Sequence, residues 1–75
     1  MTEKTDWEKK AASILKAELK LKNLTYAELV VKLAEIGVEE KEANVKNKFS
    51  RGTFSAAYFL QCLTAIGTTK LRLED

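Results

Sequence analysis

The chain has 75 residues and should therefore form one domain. Apolar residues make up 45% and charged residues 32% of it, which is typical of a folded chain rather than a disordered one. With one cysteine and no histidine, an internal disulfide is excluded, and neither a zinc site nor an enzyme is expected. No cofactor is expected, and the absence of proline argues against an all-β fold.

The net charge of +2 says little about partners, but its distribution is informative. Residues 39–42 hold three acids and one lysine, whereas residues 44–51 carry three cations and no acid. No apolar run approaches the ~18 residues of a membrane helix, and the N-terminal sequence MTEKTDWEKK lacks a signal-peptide core. These features predict a cytoplasmic protein with no membrane partner.

A first helix is predicted over residues 6–22. Thr5 and Glu8 have the T-x-x-E spacing of a capping box, in which each side chain satisfies a backbone N–H of the other residue. Apolar residues follow at spacings of three and four, which predicts a core-facing side. They are Trp7, Ala11, Ile14, Leu15 and Leu19. The lysines opposite would also suit a membrane surface, but packing as a core helix is the favoured interpretation.

A second helix is predicted over residues 25–36. Asn23 and Leu24 interrupt the first periodicity, and Thr25 with Glu28 forms a second T-x-x-E box. Its apolar face consists of Tyr26, Leu29, Val30 and Leu33. Gly37 should end the helix, because glycine adopts the left-handed conformation without a Cβ clash.

Two further helices are predicted, over residues 39–50 and 55–66. The acids at 39, 40 and 42 would lie in the first turn of the third helix, where its dipole favours them. Gly52 should end that helix, Thr53 or Ser55 should cap the next, and Gly67 should end it. The apolar face of the fourth helix is predicted to consist of Ala56, Phe59, Leu60, Leu63 and Ile66. Cys62 lies on or beside that face, and we expect it to be a small buried apolar residue rather than a reactive thiol.

Residues 69–73 alternate, with Leu71 and Leu73 on one side, which is typical of a short strand. A single strand has no partner in a helical domain. The two leucines could instead pack against the first helix, or the strand could pair with that of a second chain to build a two-fold dimer. The sequence leaves both interpretations open.

The third helix divides into two faces when its residues are placed about 100° apart. Val45 and Phe49, with Val38 just before the helix, project to one side and should face the core. The opposite side consists of Glu40, Ala43, Asn44, Asn47 and Arg51, and Lys46 and Lys48 border it. A helix entering the DNA major groove needs such a face. Asn pairs with adenine, Arg with guanine and Glu with the cytosine amino group, while Ala contacts a thymine methyl and bordering lysines reach phosphates.

The segments TYAELVVKLAEIG and ANVKNKFSRG, followed by an apolar helix, resemble the Cro/cI-type repressor helix-turn-helix. More specifically, residues 7–73 resemble a family of short bacterial domains of unknown function. That family is marked by TYAEL, IGVEE, NK, SRG, FSA, FLQCL, AIG and LRL in this order. The resemblance implies an all-α, four-helix, lambda-repressor-like domain with a short C-terminal extended segment or strand. Compared with the repressors, the second helix is about one turn longer, and the approach from Val38 to Val45 is about two residues longer.

The outward side of the third helix and the resemblance to the repressors together predict a regulator that binds double-stranded DNA. Base contacts would come from Asn44, Asn47, Arg51, Ala43 and Glu40, and phosphate contacts from Lys46, Lys48, Thr25 and Tyr26. A homodimer through Leu71 and Leu73 would place two copies of the third helix about 34 Å apart, one DNA turn. The alternative is a protein–protein interaction module on the same scaffold. The acids just before the third helix favour that alternative.

Overall fold

The computed structural model describes residues 6–71 and residue 73, and within them it contains four α-helices and no strand. The helices are α1 (Asp6–Leu21), α2 (Tyr26–Glu35), α3 (Glu42–Arg51) and α4 (Ala56–Ala65). The prediction of a small, all-helical fold with four helices is therefore confirmed for the described part of the chain.

Side-chain caps start α2 and α4. The Thr25 hydroxyl accepts a hydrogen bond from the Glu28 N–H at 3.1 Å, and the Glu28 carboxylate accepts one from the Thr25 N–H at 2.8 Å. This is the predicted capping box. Ser55 caps α4 by accepting from the Tyr58 N–H at 3.0 Å. The box predicted at Thr5 lies outside the described residues.

Helix α3 begins two to three residues later than predicted. Its N-cap is Lys41, whose backbone is extended and whose side chain makes no capping hydrogen bond. Only Glu42 of the three acids lies in the first turn, so the prediction that all three lie there is wrong. The reason is Val38, which packs against the core and donates its N–H to the Leu33 carbonyl at 2.9 Å. Because this contact completes the end of α2, the chain runs extended before it can turn into α3.

The predicted helix ends are confirmed. Gly37, Gly52 and Gly67 have φ angles of 84°, 71° and 79°. A side chain at such an angle would be strained even though a Cβ at Gly37 or Gly67 would meet nothing within 4 Å. Asn23, with φ 57°, ends α1 in the same left-handed conformation. Among the described residues it is the non-glycine residue with positive φ, which Asn tolerates better than most.

One core joins the four helices. Helix α2 packs against both α3 and α4, and α1 packs against α4. Buried side chains from every helix meet there: Leu15, Leu19, Leu29, Leu33, Val45, Phe49, Tyr58, Cys62, Leu63 and Ile66. Helices α2 and α4 thus form the middle of the domain, and α3 lies at its outside with one face free to meet a partner.

Three residues predicted to face the core do not, and one of them is Ala56, which is exposed in the first turn of α4. Trp7 is 78% exposed, because it lies in the first turn of α1, whereas α1 enters the core through Ala12 and the leucines that follow. Leu60 is 61% exposed. Helix α4 is rotated so that Tyr58 and Cys62 point inward in its place.

The C-terminal segment is not a strand in the described residues 69–71 and 73. One interpretation had both leucines packed against the first helix. Leu71 is half-buried against the core, whereas Leu73 is exposed, so packing onto the domain is seen for Leu71 and not for Leu73. The Thr68 hydroxyl donates to the Glu18 carboxylate of α1 at 2.9 Å, which holds the start of this segment in place. A dimer through Leu71 and Leu73 stays a prediction. None of the helices in the described residues has the length and apolar character that crossing a membrane requires.

Candidate nucleic-acid interface

The outward face of α3 is polar and uncovered. Its exposed side chains are Ala43, Asn44, Asn47 and Arg51. On the opposite face Val45 and Phe49 are fully buried, so α3 divides into an outer and a core face as the sequence predicted. Among the described residues Arg51 forms no ion pair, which leaves its guanidinium available to a ligand.

An aromatic cluster anchors this helix. The Phe49 ring lies 5.0 Å from the Tyr26 ring of α2 and 6.1 Å from the Phe54 ring, measured between centroids. Phe54 fills the corner between α3 and α4, with Tyr58 at 5.8 Å and Phe59 at 6.2 Å. Aromatic pairs at these distances contribute about 0.5–1.5 kcal/mol beyond their buried area. The outer face of α3 is therefore presented by a rigid support.

Glu40 lies beside the outer face but is already engaged. Its carboxylate accepts hydrogen bonds from the Lys48 ammonium at 2.9 Å and from the Asn44 amide at 3.3 Å, and its side chain is 11% exposed. The hydrogen bond from Lys48, and then that from Asn44, hold the pKa of the Glu40 carboxyl below its usual range, although burial works against them. The base contact predicted for Glu40 would require these bonds to break.

Lys48 is held from two sides. Besides pairing with Glu40, its ammonium lies 4.2 Å from the centroid of the Tyr58 ring of α4, within cation–π distance. Its charge is therefore compensated inside the protein. Sequence analysis missed this arrangement, since Glu40 precedes the helix and the eight-residue separation matches no helical spacing.

Lys46, on the other border of α3, is much less constrained. Its ammonium lies 3.6 Å from the Glu42 carboxylate, and the two side chains are 61% and 49% exposed. An exposed pair of this i,i+4 kind contributes only about 0.3–0.5 kcal/mol. Lys46 can therefore exchange this partner for an external anion at little cost.

The predicted phosphate contacts at the start of α2 lie beside a basic groove. Thr25 is exposed, although its hydroxyl accepts the capping hydrogen bond, and Tyr26 is half-buried against Phe49. Both residues line an open groove together with Lys16 and Lys20 of α1. Sequence analysis did not assign these lysines. Their i,i+4 spacing shows that they share a face of α1, but only the fold brings that face to the start of α2.

The single cysteine is not a reactive nucleophile at this surface. Cys62 is fully buried, as predicted, and burial raises the pKa of its thiol to about 11. The thiol is therefore protonated at neutral pH and inert. Within the described part of the chain, no group of three or more acidic or cysteine side chains lies close enough to hold a metal ion.

Comparison with known proteins gives one match. Residues 7–71 match the model of a family described as a domain of unknown function, DUF6471. No curated protein and no solved structure is significantly similar to the chain. Since the match covers more than half of the sequence, the chain belongs to the DUF6471 family of domains of unknown function.

Proposed function

We propose that this chain is a small double-stranded-DNA-binding protein, a transcriptional regulator that reads the major groove with α3 in the manner of a lambda-repressor-like helix-turn-helix. One observation carries the proposal. The exposed side of α3 consists of small, amide and guanidinium side chains, while its other side is fully buried.

The chemistry of that side suits base edges. Asn44 and Asn47 each offer a donor and an acceptor for adenine, Arg51 offers a bidentate donor pair for guanine, and Ala43 leaves room for a thymine methyl. Residues 43 to 51 extend over about 12 Å of helix at ~1.5 Å per residue, a length that matches about three base pairs. Each good base contact would contribute about 1–3 kcal/mol of discrimination.

Phosphate contacts would come from both sides of α3. Lys46 is available on one border, and Thr25 and Tyr26 lie at the positive end of the α2 dipole. The groove lined by Lys16 and Lys20 extends this basic region. In this arrangement Lys48 supports the fold, and Lys16 and Lys20 supply the positive charge for phosphate contacts in its place.

The rival function is a protein–protein interaction module on the same scaffold. The observation in its favour is the internal pairing of Lys48 with Glu40, which removes one cation from the surface that DNA would meet. Glu39 is exposed just before α3 and would repel phosphates. The two functions differ in their dependence on salt.

A salt titration separates them. A fluorescently labelled duplex, enriched from a randomised pool on the full chain, is titrated with the protein at several salt concentrations and followed by anisotropy. DNA binding predicts that log K falls with log salt at a slope near −0.9 for each phosphate neutralised. No detectable binding at about 50 mM salt, where the electrostatic contribution is strong, would overturn the proposal.

Variants test the assigned face. Arg51→Ala and Asn47→Ala should each weaken binding to the enriched duplex about 5- to 100-fold, since each removes a base contact. Lys70→Ala is the control, because Lys70 is an exposed cation of the C-terminal segment and is not among the residues assigned to the interface. A loss with Lys70→Ala as large as that with Arg51→Ala would show that binding does not depend on this face.

A further inference from the structure

An exposed apolar face lies at the opposite end of α1 from the basic groove. Trp7 is 78% exposed and forms one wall of an open groove next to it. The rest of this groove is lined by Glu8 and Ala11 of α1, by residues 52–55 between α3 and α4, and by Ala56 and Phe59 of α4. We refer to it as the Trp7 groove. The core does not need Trp7, and an indole that is 78% exposed leaves most of its apolar surface in water, so burying it together with the groove against an occupant would be favourable.

We propose that the Trp7 groove is a homodimer interface, in which Trp7 of each copy enters the groove of the other across a two-fold axis. A two-fold contact requires one patch to be complementary to itself. This patch meets that requirement, since it combines a projecting aromatic ring with an adjacent apolar depression. Trp is also among the residues that interface cores favour most.

The charges at the start of α1 favour a second copy of this chain over another partner. Asp6 and Lys10 lie one turn apart on α1, and the Lys10 ammonium lies 5.8 Å from the centroid of the Trp7 ring. When the first turns of two α1 helices meet antiparallel, Asp6 of one copy lies opposite Lys10 of the other. A partner of uniform charge would be repelled by one half of this rim. Such pairs contribute modest affinity but select the orientation.

The expected dimer is weak. Burial of one Trp removes about 150–250 Å² from water, so the pair supplies roughly a third of the ~1,200 Å² that a stable interface needs. The groove walls and the first turns of α1 must supply the rest. The groove includes the residues directly after α3, so the two α3 helices would lie near each other in the dimer. The inference does not rest on DNA binding and can be tested without it.

The single tryptophan of the chain reports on this contact directly. The full chain is diluted from about 1 mM to about 1 μM while its Trp emission and its sedimentation equilibrium are measured. We expect a dimer at high concentration with blue-shifted emission, and a monomer with red-shifted emission on dilution, with one midpoint for both signals. A monomer at all concentrations, or a dimer whose Trp emission does not change on dilution, would overturn the proposal. The second result would indicate pairing elsewhere, such as through Leu71 and Leu73.

Two sets of variants sharpen the test. Trp7→Glu should abolish the dimer, whereas Leu21→Glu should leave it intact, since Leu21 is 79% exposed at the other end of the same helix. Because the Trp7 and Leu21 side chains are both exposed, we expect both variants to stay folded, and circular dichroism verifies this. Lys10→Glu should weaken the dimer at least about fivefold, and the double change Asp6→Lys with Lys10→Glu should restore it to within about threefold. A dimer that survives Trp7→Glu, or a double variant as weak as Lys10→Glu, would contradict the two-fold contact.

Discussion

The two lysines that border α3 occupy matching positions and play different parts. Lys46 is exposed and loosely paired with Glu42 at 3.6 Å. Lys48 is one-third exposed, bonded to Glu40 at 2.9 Å and stacked over the Tyr58 ring. On a helical wheel both are cations flanking a polar face. The difference shows that a charge assigned to a face by periodicity is not always a charge available to a ligand.

The difference arises from the elements that adjoin each lysine. Lys48 points toward α4 and toward the extended segment before α3, so Tyr58 and Glu40 both reach it. Among the described residues, Lys46 pairs with Glu42 in the preceding turn of its own helix, and its side chain is 61% exposed. Lys48 therefore supports the structure, and Lys46 is suited to binding a ligand.

The largest expected difference between the two lysines is in their contribution to the free energy of unfolding. Lys48→Ala should reduce the free energy of unfolding by about 1–2 kcal/mol, because it leaves the Glu40 carboxylate without its ion pair and removes the cation–π contact. Lys46→Ala should change it by less than about 0.5 kcal/mol. Both are Lys→Ala changes inside the same helix, so differences in helix propensity cancel. Chemical denaturation measures both, and equal losses would show that the Glu40 pair has no special role.

A smaller effect is expected on DNA binding. Lys46→Ala should weaken binding about three- to fivefold and lower the salt slope by about 1, as expected for one lost phosphate contact. The double variant Glu40→Gln with Lys48→Met removes an ion pair that has no net charge. Its affinity for DNA should therefore stay within about twofold of that of the natural chain. Anisotropy titrations at two salt concentrations decide the matter. A larger loss in the double variant than in Lys46→Ala would show that Lys48 does contact phosphate.

The smallest expected effect is on the pH dependence of stability. The pKa of Glu40 lies below its ordinary value of 4.5 in the folded state, so folding favours the ionised carboxylate. Its contribution is fully present above pH 4.5 and is lost as the pH falls through the lowered pKa. The stability difference between the natural chain and Glu40→Gln should therefore shrink as the pH is lowered below that value.

Denaturation midpoints across this acid range measure the effect. Glu35→Gln, which changes an exposed carboxylate of α2, is the control for the general loss of one acid. A difference between the natural chain and Glu40→Gln that does not depend on pH would contradict the role assigned to the Lys48 hydrogen bond.

Features with local causes could be predicted from the sequence. The capping box of Thr25 and Glu28 and the left-handed glycines at 37, 52 and 67 lie where the sequence placed them. Such features depend on residues within one turn of each other. The division of α3 into a buried side and an exposed side also follows, since it needs only the period of the helix.

Features that depend on neighbouring elements could not be predicted. The exposure of Trp7 depends on how the first turn of α1 lies against the start of α4, and the late start of α3 depends on Val38 packing against the core. The candidate site shows the same limit. Lys16 and Lys20 become part of a basic region only because the end of α1 turns back onto the start of α2.

The sequence by itself determined that this chain forms four helices, where three of them end, and which side chains α3 turns outward. Those properties follow from backbone preferences and from a period of 3.6 residues. The tertiary structure alone decided which outward charges are compensated and which large apolar side chains stay uncovered. Both outcomes depend on distances between residues that are far apart in the chain, as with Lys48 and Tyr58, and periodicity carries no information about such distances.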